Sequence, residues 1–139
     1  MTESPAATSS TSSTTTPPAV TARFYGVGLD SPRPAELGAF YAALLGVELT
    51  HSAAEYAGLQ LPGGAWLLIQ GAPDHVPPRW GDPSAPQQLH LDLLVDDLDA
   101  GQARAVELGA TVADPQPQPD RWRVLVDPSG HPFCLALGG

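Results

Sequence analysis

The sequence of 139 residues contains no lysine and has only six basic residues against 15 acidic ones, which gives a formal net charge of -9. A nucleic-acid-binding surface needs a basic patch, and six dispersed arginines do not supply one. The chain also lacks an apolar run of the kind that forms a secretion signal or a membrane span. We therefore expect neither nucleic acid nor a membrane as a partner.

Cysteine is almost as scarce, because Cys134 is the only one in the chain. A single cysteine cannot form an internal disulfide, and together with the missing signal this predicts a cytoplasmic protein. The hydrophobic share of 42% provides enough apolar material for the core of one domain.

The first part of the chain differs in composition from the rest. Residues 1–20 are rich in serine, threonine and proline and have too little apolar surface to offset the entropy of ordering. We predict a disordered tail over 1–20 and one domain over 21–139.

Within that domain, the same order of predicted elements occurs twice. The first module, at about 22–70, has a strand at 22–31, a helix whose apolar stripe ends at Leu45 before Gly46, and strands near 47–51, 56–61 and 65–70. The second module, at about 88–138, has a strand at 88–95, a helix at about 99–108 and strands near 111–113, 121–126 and 132–137. Asp99 and Gln102 form the pattern of a capping box. This order indicates an internal repeat of roughly 64 residues, in which Gly26 and His90 occupy equivalent positions.

A proline-rich linker at about 71–87 joins the modules and carries His75, Arg79 and Trp80. Loops of this length in a compact domain often cover a binding site. A crossover that merely connects the halves is an equally good interpretation, and the residues do not decide between the two.

The strand at 88–95 carries the best site candidates. Leu89, Leu91 and Leu93 alternate with His90 and Asp92, so the imidazole and the carboxylate share one face. A structural role for each candidate is the simpler alternative: His90 hydrogen-bonded to Asp92, and Cys134 as a small buried residue.

Three segments carry a family resemblance: AELGAFYAALLG at 35–46, HLDLLVDDL at 90–98 and DPSGHPF at 127–133. In this order and spacing the chain resembles the vicinal oxygen chelate superfamily, the group of glyoxalases, bleomycin-resistance proteins and extradiol dioxygenases. The resemblance implies an α+β fold of two βαβββ modules whose mixed sheets curl around a central pocket. It also implies a small-molecule ligand and a homodimer.

In metal-dependent members of that superfamily, residues from the first and last strands of both modules hold a divalent cation. His90 matches one of these positions. The other three fall at Gly26, at Gln70 or a neighbour, and at Cys134, which do not supply the usual carboxylate and imidazole ligands. We therefore expect no metal site and no cofactor, with a divalent metal on a different ligand set as the alternative.

The favoured hypothesis is a protein that binds a small organic molecule, aromatic or hydrophobic, in a pocket walled by Trp66 or Trp122. The alternative is a lyase, isomerase or dioxygenase of the same superfamily that uses an unusual metal site or His90 paired with Asp92 as a base. An interaction module is a third class. The sequence assigns no catalytic residue and leaves open whether the protein is an enzyme. The predicted ligand-binding residues are Gly26, Gly28, Gln70, His90, Asp92 and Cys134.

Overall fold

The computed structural model describes residues 21–138, so the tail predicted at 1–20 lies outside the described residues. Both modules have the predicted βαβββ order. The elements of the first module are β1 (Gly26–Ser31), α1 (Pro34–Leu45), β2 (His51–Ser52), β3 (Tyr56–Gln60) and β4 (Trp66–Gly71). Those of the second are β5 (Leu91–Val95), α2 (Leu98–Leu108), β6 (Thr111–Val112), β7 (Trp122–Val126) and β8 (Pro132–Leu137).

Each module forms a four-stranded mixed sheet. The strand orders are β1-β4-β3-β2 and β5-β8-β7-β6, and in both sheets the first strand pairs in parallel with the last strand of its module. The remaining pairs are antiparallel. The α+β class and the two-module architecture expected from the sequence are therefore confirmed.

The ends of several predicted elements were wrong. The first strand begins at Gly26 rather than at residue 22, and the strand predicted at 47–51 is reduced to β2 because only His51 and Ser52 find ladder partners on β3. Helix α2 begins at Leu98 with Asp97 as its N-cap, whose carboxylate accepts the backbone N–H of Ala100 at 2.9 Å. The predicted capping by Asp99 fails because that carboxylate instead accepts the guanidinium of Arg123 at 2.7 Å.

One hydrophobic core spans both modules. Phe40 and Tyr41 of α1 meet Phe133 of β8 edge-on, with ring centroids 5.9 and 6.0 Å apart. The two helices also contact each other. Such edge-to-face aromatic contacts add to the stabilisation from burial, so the halves pack as one unit over the described residues.

Polar contacts fix the register of the halves beside this core. The Tyr41 hydroxyl donates to Oδ2 of Asp127 at 2.7 Å, and the hydroxyls of Ser31 and Ser129 lie 2.7 Å apart. Burial raises the pKa of Tyr41 well above its ordinary value, and the Asp127 carboxylate adds to this shift. The phenol therefore stays protonated and donates to a carboxylate that is itself buried.

Among the described residues, no helix combines the length and the apolar content that crossing a bilayer requires.

Candidate functional site

Each sheet has one face toward the shared core and one face away from it, which we call the open face. Along β1 the core side is formed by Val27, Leu29 and Ser31, and along β5 by Leu91, Leu93 and Val95. The alternation of a strand places the intervening residues on the open faces. These are Gly26, Gly28, Asp30, Asp92 and Leu94, and His90 immediately precedes β5 in the same alternation.

The pairing registers show which positions of the two modules are equivalent. Gly28 pairs with Leu68, and Asp92 pairs with Cys134. The residue equivalent to Cys134 is therefore Leu68, whereas Gln70 pairs with Asp30 one step further along the same open face.

The two predicted pocket glycines of the first module are not alike. A side chain at Gly26 would overlap the carbonyl oxygen of Trp66, so this glycine permits a close approach of two backbones and opens no space. At Gly28 an added Cβ atom would meet nothing within 4 Å. Both glycines are predicted ligand-binding residues, but only Gly28 has open space beside it.

Aromatic rings cover another part of this open face. Trp66 stacks on His51 with ring centroids 5.9 Å apart and on Tyr25 at 6.4 Å. His51 also lies 6.1 Å from the ring of Tyr56. Trp66, a predicted pocket wall, is therefore part of a cluster of stacked rings.

The second module brings three of the predicted site residues together. Ligand atoms of His90, Asp92 and Cys134 all lie within 4.8 Å of one another. Nε2 of His90 donates to Oδ1 of Asp92 at 3.1 Å. Burial raises the pKa of the Cys134 thiol to about 11, and the hydrogen-bonded Asp92 carboxylate contributes to the shift. In this state Asp92 accepts from both an imidazole and a thiol.

The linker covers the neighbouring part of the second open face. Trp80 packs against the buried group of Ala113, Val124 and Cys134, together with Trp122. The indole N–H of Trp80 donates to the carbonyl of Pro115 at 2.6 Å. Trp122, the other predicted pocket wall, thus belongs to a small hydrophobic cluster that the linker closes.

A cavity of about 500 Å³ lies where β1, the linker, the approach to β5 and the turn before β8 meet. We call it the junction cavity. Among the six predicted ligand-binding residues, Gly28 lies in its wall, whereas Gly26, Gln70, His90, Asp92 and Cys134 lie outside that wall. Its wall is formed by Gly28, Leu29, Asp30, His75, Val76, Pro77, Pro78, Ser84, Ala85, Pro86, Gln88, Leu89 and His131.

Two histidines of the junction cavity stack on each other, with ring centroids 4.7 Å apart for His75 and His131. Nε2 of His75 lies 3.1 Å from the carbonyl of Ser129, and Nε2 of His131 lies 2.7 Å from that of Asp30. A carbonyl only accepts, so each Nε2 carries the hydrogen and each neutral ring keeps Nδ1 as an acceptor. In the sequence His75 lies in the linker and His131 in the 127–133 segment, and no spacing relates the two residues.

The residues do not fit a metal shared by both modules. At the equivalent positions the first module offers Gly26, Gly28 and Leu68, which have no ligand atoms on their side chains. The donor atoms of the second module form a set of one imidazole, one carboxylate and one thiol. Any metal bound here would be held by that module alone.

Comparison with known proteins supplies the family. The sequence profile of the glyoxalase-like domain matches residues 26–136. No curated protein matches the chain. Among solved structures the fold is similar to that of a variant of the fosfomycin resistance protein FosX from Listeria monocytogenes, complexed with Mn(II) and 1S,2S-dihydroxypropylphosphonic acid. That match has 17% identity and a TM-score of 0.65, and it covers 86% of this chain and 95% of FosX.

A second similar structure is a glyoxalase/bleomycin resistance protein/dioxygenase family enzyme from Burkholderia phytofirmans, with 19% identity and a TM-score of 0.61 over 82% of this chain and 97% of that one. A third is a glyoxalase-related enzyme from Fulvimarina pelagi, with 17% identity and a TM-score of 0.62 over 84% and 88%. At these identities the structures show the fold alone. The sequence profile spans most of the chain, and the protein therefore belongs to the glyoxalase-like domain family.

Proposed function

We propose that the protein binds a small organic molecule, aromatic or hydrophobic, in the junction cavity. The observation that carries this proposal is the cavity itself, because its volume of about 500 Å³ is in the size range of ligand sites. Its walls are largely apolar, with Leu29, Leu89 and the prolines of the linker, and a few polar groups stand between them. Sites of this composition obtain affinity from burial and orientation from the polar groups.

Gly28 provides the space for such a ligand. It lies in the cavity wall, and no atom occupies the volume that its side chain would take. A larger residue on this strand would fill the cavity from one side. The glycine therefore has a clear role in binding and no role as a source of chemistry.

Three polar residues of the wall offer acceptors, whereas the amide of Gln88 can both donate and accept. Asp30 contributes a carboxylate, and His75 and His131 keep Nδ1 free when neutral. The wall includes neither arginine nor lysine. We therefore expect an apolar ring system that carries hydrogen-bond donors, such as an aromatic amine, to bind better than a carboxylate of the same shape.

Binding in the junction cavity is proposed to need no metal. FosX was solved with Mn(II), but the positions of this chain that match across the two modules do not supply a shared ligand set. Chelation should leave the affinity for the organic ligand unchanged.

An enzyme is the second candidate function, and the contact between His90 and Asp92 favours it. A carboxylate 3.1 Å from an imidazole orients the ring, which is the arrangement of a general base. Turnover would then be lost in both His90→Ala and Asp92→Asn, whereas ligand binding alone would survive either change.

We also propose that two copies associate in the cytoplasm. Strands β1 and β5 are edge strands of their sheets, and Leu94 on β5 is 73% exposed. An exposed apolar side chain on an unpaired edge favours pairing with a second chain. Light scattering coupled to size exclusion should give twice the chain mass for the native protein and a lower mass for Leu94→Asp. A single-chain mass for the native protein would contradict the association.

The test of the main proposal is a ligand screen by thermal unfolding with aromatic amines, matched carboxylates and neutral analogues. A ligand at a hundred times its Kd adds about 2.7 kcal/mol to native-state stability. Gly28→Leu should abolish this gain, and Ala43→Leu, which adds the same side chain at an exposed helix position, should preserve it. Absence of any stabilisation across the panel, or equal stabilisation of both variants, would contradict binding in this cavity.

A further inference from the structure

The stacked histidines of the junction cavity connect the linker to the second module. His75 belongs to the linker and His131 to the turn before β8, and their ring centroids lie 4.7 Å apart. Beside them Pro77 packs so closely on Gly130 that a side chain at the glycine would overlap the proline. The linker and the turn therefore hold the two rings in a defined mutual position within the cavity wall.

The hydrogen bonds of this pair determine where a proton can be added. Nε2 of His75 donates to the carbonyl of Ser129, and Nε2 of His131 donates to that of Asp30. Neutral imidazole in this tautomer and protonated imidazole both carry a hydrogen on Nε2, so neither bond is lost when a ring becomes charged. In the part of the chain that the structure describes, Nδ1 has no partner on either ring. Protonation therefore changes the chemistry of the cavity wall and leaves the attachment of the rings intact.

We propose that His75 and His131 determine which ligand charge the junction cavity accepts, and that this preference changes with pH. The inference rests on the proposed function, because it concerns the ligand class of the same cavity. A neutral Nδ1 accepts a hydrogen bond from an amine, whereas a protonated Nδ1 donates one and attracts an anion. The cavity should therefore favour aromatic amines above the pH range in which imidazole titrates, and accept aromatic anions below it.

The other charges around the pair favour a cationic ligand while both rings are neutral. Three carboxylates lie on the segments that hold the pair, namely Asp30 on β1, Asp74 in the linker and Asp127 in the turn. Asp127 already accepts hydrogen bonds from a buried phenol and two backbone N–H groups. Arg79 and Asp82, further along the linker, lie outside the cavity wall. A proton on the pair offsets the negative charge of the wall, and an anion bound beside two protonated rings relieves their mutual repulsion.

The experiment uses the full chain and two aromatic probes, naphthylmethylammonium and naphthalenesulfonate, whose own charges stay fixed between about pH 5.5 and 8. Imidazole is the side chain that ordinarily titrates in this range. Calorimetry at both ends of the range gives the Kd of each probe. On acidification the ratio of the two constants should shift toward the sulfonate by at least about tenfold, the size of a hydrogen bond to a charged group. Gly28→Leu should abolish binding of both probes, which ties the shift to the cavity.

The double variant His75→Gln/His131→Gln keeps a side-chain N–H for each carbonyl and removes the nitrogen that titrates. It should bind the probes with a ratio that no longer changes between the two pH values. His51→Gln is the matched control, because His51 is an exposed histidine outside the cavity wall, and it should keep the full shift. If the double variant does not fold, the two single variants carry the test, and each should reduce the shift.

The outcomes separate this inference from the proposed function. A native protein that binds the probes with a ratio independent of pH overturns the inference and leaves binding in the cavity intact. An equal shift in the native protein and in the histidine variants does the same, because other groups would then cause it. Failure of both probes to bind the native protein at either pH contradicts the proposed function as well.

Discussion

The two modules share a scaffold and differ in the chemistry of their open faces. Each pairs its first strand in parallel with its last, in registers that make Gly28 equivalent to Asp92 and Leu68 equivalent to Cys134. The first module therefore has a glycine and a leucine at the positions where the second module has a carboxylate and a thiol. The comparison shows that the modules share strand order and a mostly apolar core side, while the chemistry of their open faces differs.

The two helices also differ in the interactions that stabilise them. Helix α1 buries Leu37, Phe40 and Tyr41, and its N-terminus has no side-chain cap. Helix α2 buries only Leu98 and Ala105 among its described side chains but begins with the Asp97 cap. Packing stabilises the first helix, and local hydrogen bonding contributes more to the second.

The largest expected difference in the free energy of unfolding is between substitutions of the two glycines of β1. Gly26→Ala should lower the free energy of unfolding by about 1–3 kcal/mol, because the new methyl group overlaps the Trp66 carbonyl and the strands must shift. Gly28→Ala should change it by less than about 0.5 kcal/mol, because the methyl group enters open space. Urea titrations followed by tryptophan fluorescence measure both, and equal losses would refute the distinction between them.

The next largest effect on stability is expected for the hydrogen bond between Tyr41 and Asp127, which joins the two modules. Tyr41→Phe should cost about 1–2 kcal/mol at neutral pH, because Asp127 loses one buried donor but keeps the backbone N–H groups of Ser129 and His131. Chemical unfolding of both proteins measures the difference. A variant as stable as the native protein would show that this contact does not hold the modules together.

The same variant should also change the dependence on pH. Tyr41 has a raised pKa in the native state, so its contribution is complete below its ordinary value of 10.0 and is lost as the pH rises from there toward the raised value. The native protein should lose stability faster than Tyr41→Phe above pH 10, so the gap between them should narrow. A gap that widens with pH would contradict the assigned protonation.

Substitutions at the N-termini of the two helices should have smaller effects on stability. Asp97→Ala should destabilise the protein by about 1 kcal/mol, because the N–H of Ala100 loses its acceptor. Arg33→Ala, at the uncapped start of α1, removes only an exposed pair with Glu36 and should cost less than about 0.5 kcal/mol. Thermal unfolding of the two variants compares them, and a larger loss for Arg33→Ala would reverse the interpretation of the helices.

Local pattern predicted the order of the elements in both modules, whereas the fold with two mixed sheets was implied by the family resemblance. The apolar stripe that ends at Leu45 and the left-handed Gly46 arise from neighbours in the sequence, and the structure has both. The alternation predicted over 88–95 is present only from Leu91 onward, because β5 begins there and Leu89 is exposed.

The Asp97 cap was missed because Asp96, Asp97 and Asp99 all lie near the start of α2, and local pattern does not distinguish among them. In the structure Asp97 accepts the N–H of Ala100, whereas Asp99 contacts Arg123, which is 24 positions further along the chain.

The junction cavity could not be predicted in the same way. His75 contacts a residue 54 positions away, and His131 contacts one 101 positions away. Gly26 and Gly28 look identical in the sequence, and only the packing of Trp66 distinguishes them. These long-range contacts depend on how the two modules pack together, and the periodicity of the sequence gives no information about that packing.

The most direct test of the central claim is calorimetric titration of the chelated protein with the best aromatic ligand from the screen, beside Gly28→Leu and His90→Ala. The account predicts full binding by the native protein and by His90→Ala, and none by Gly28→Leu, because the ligand occupies the space next to β1. Unchanged binding by Gly28→Leu, or loss of binding in His90→Ala alone, would contradict it.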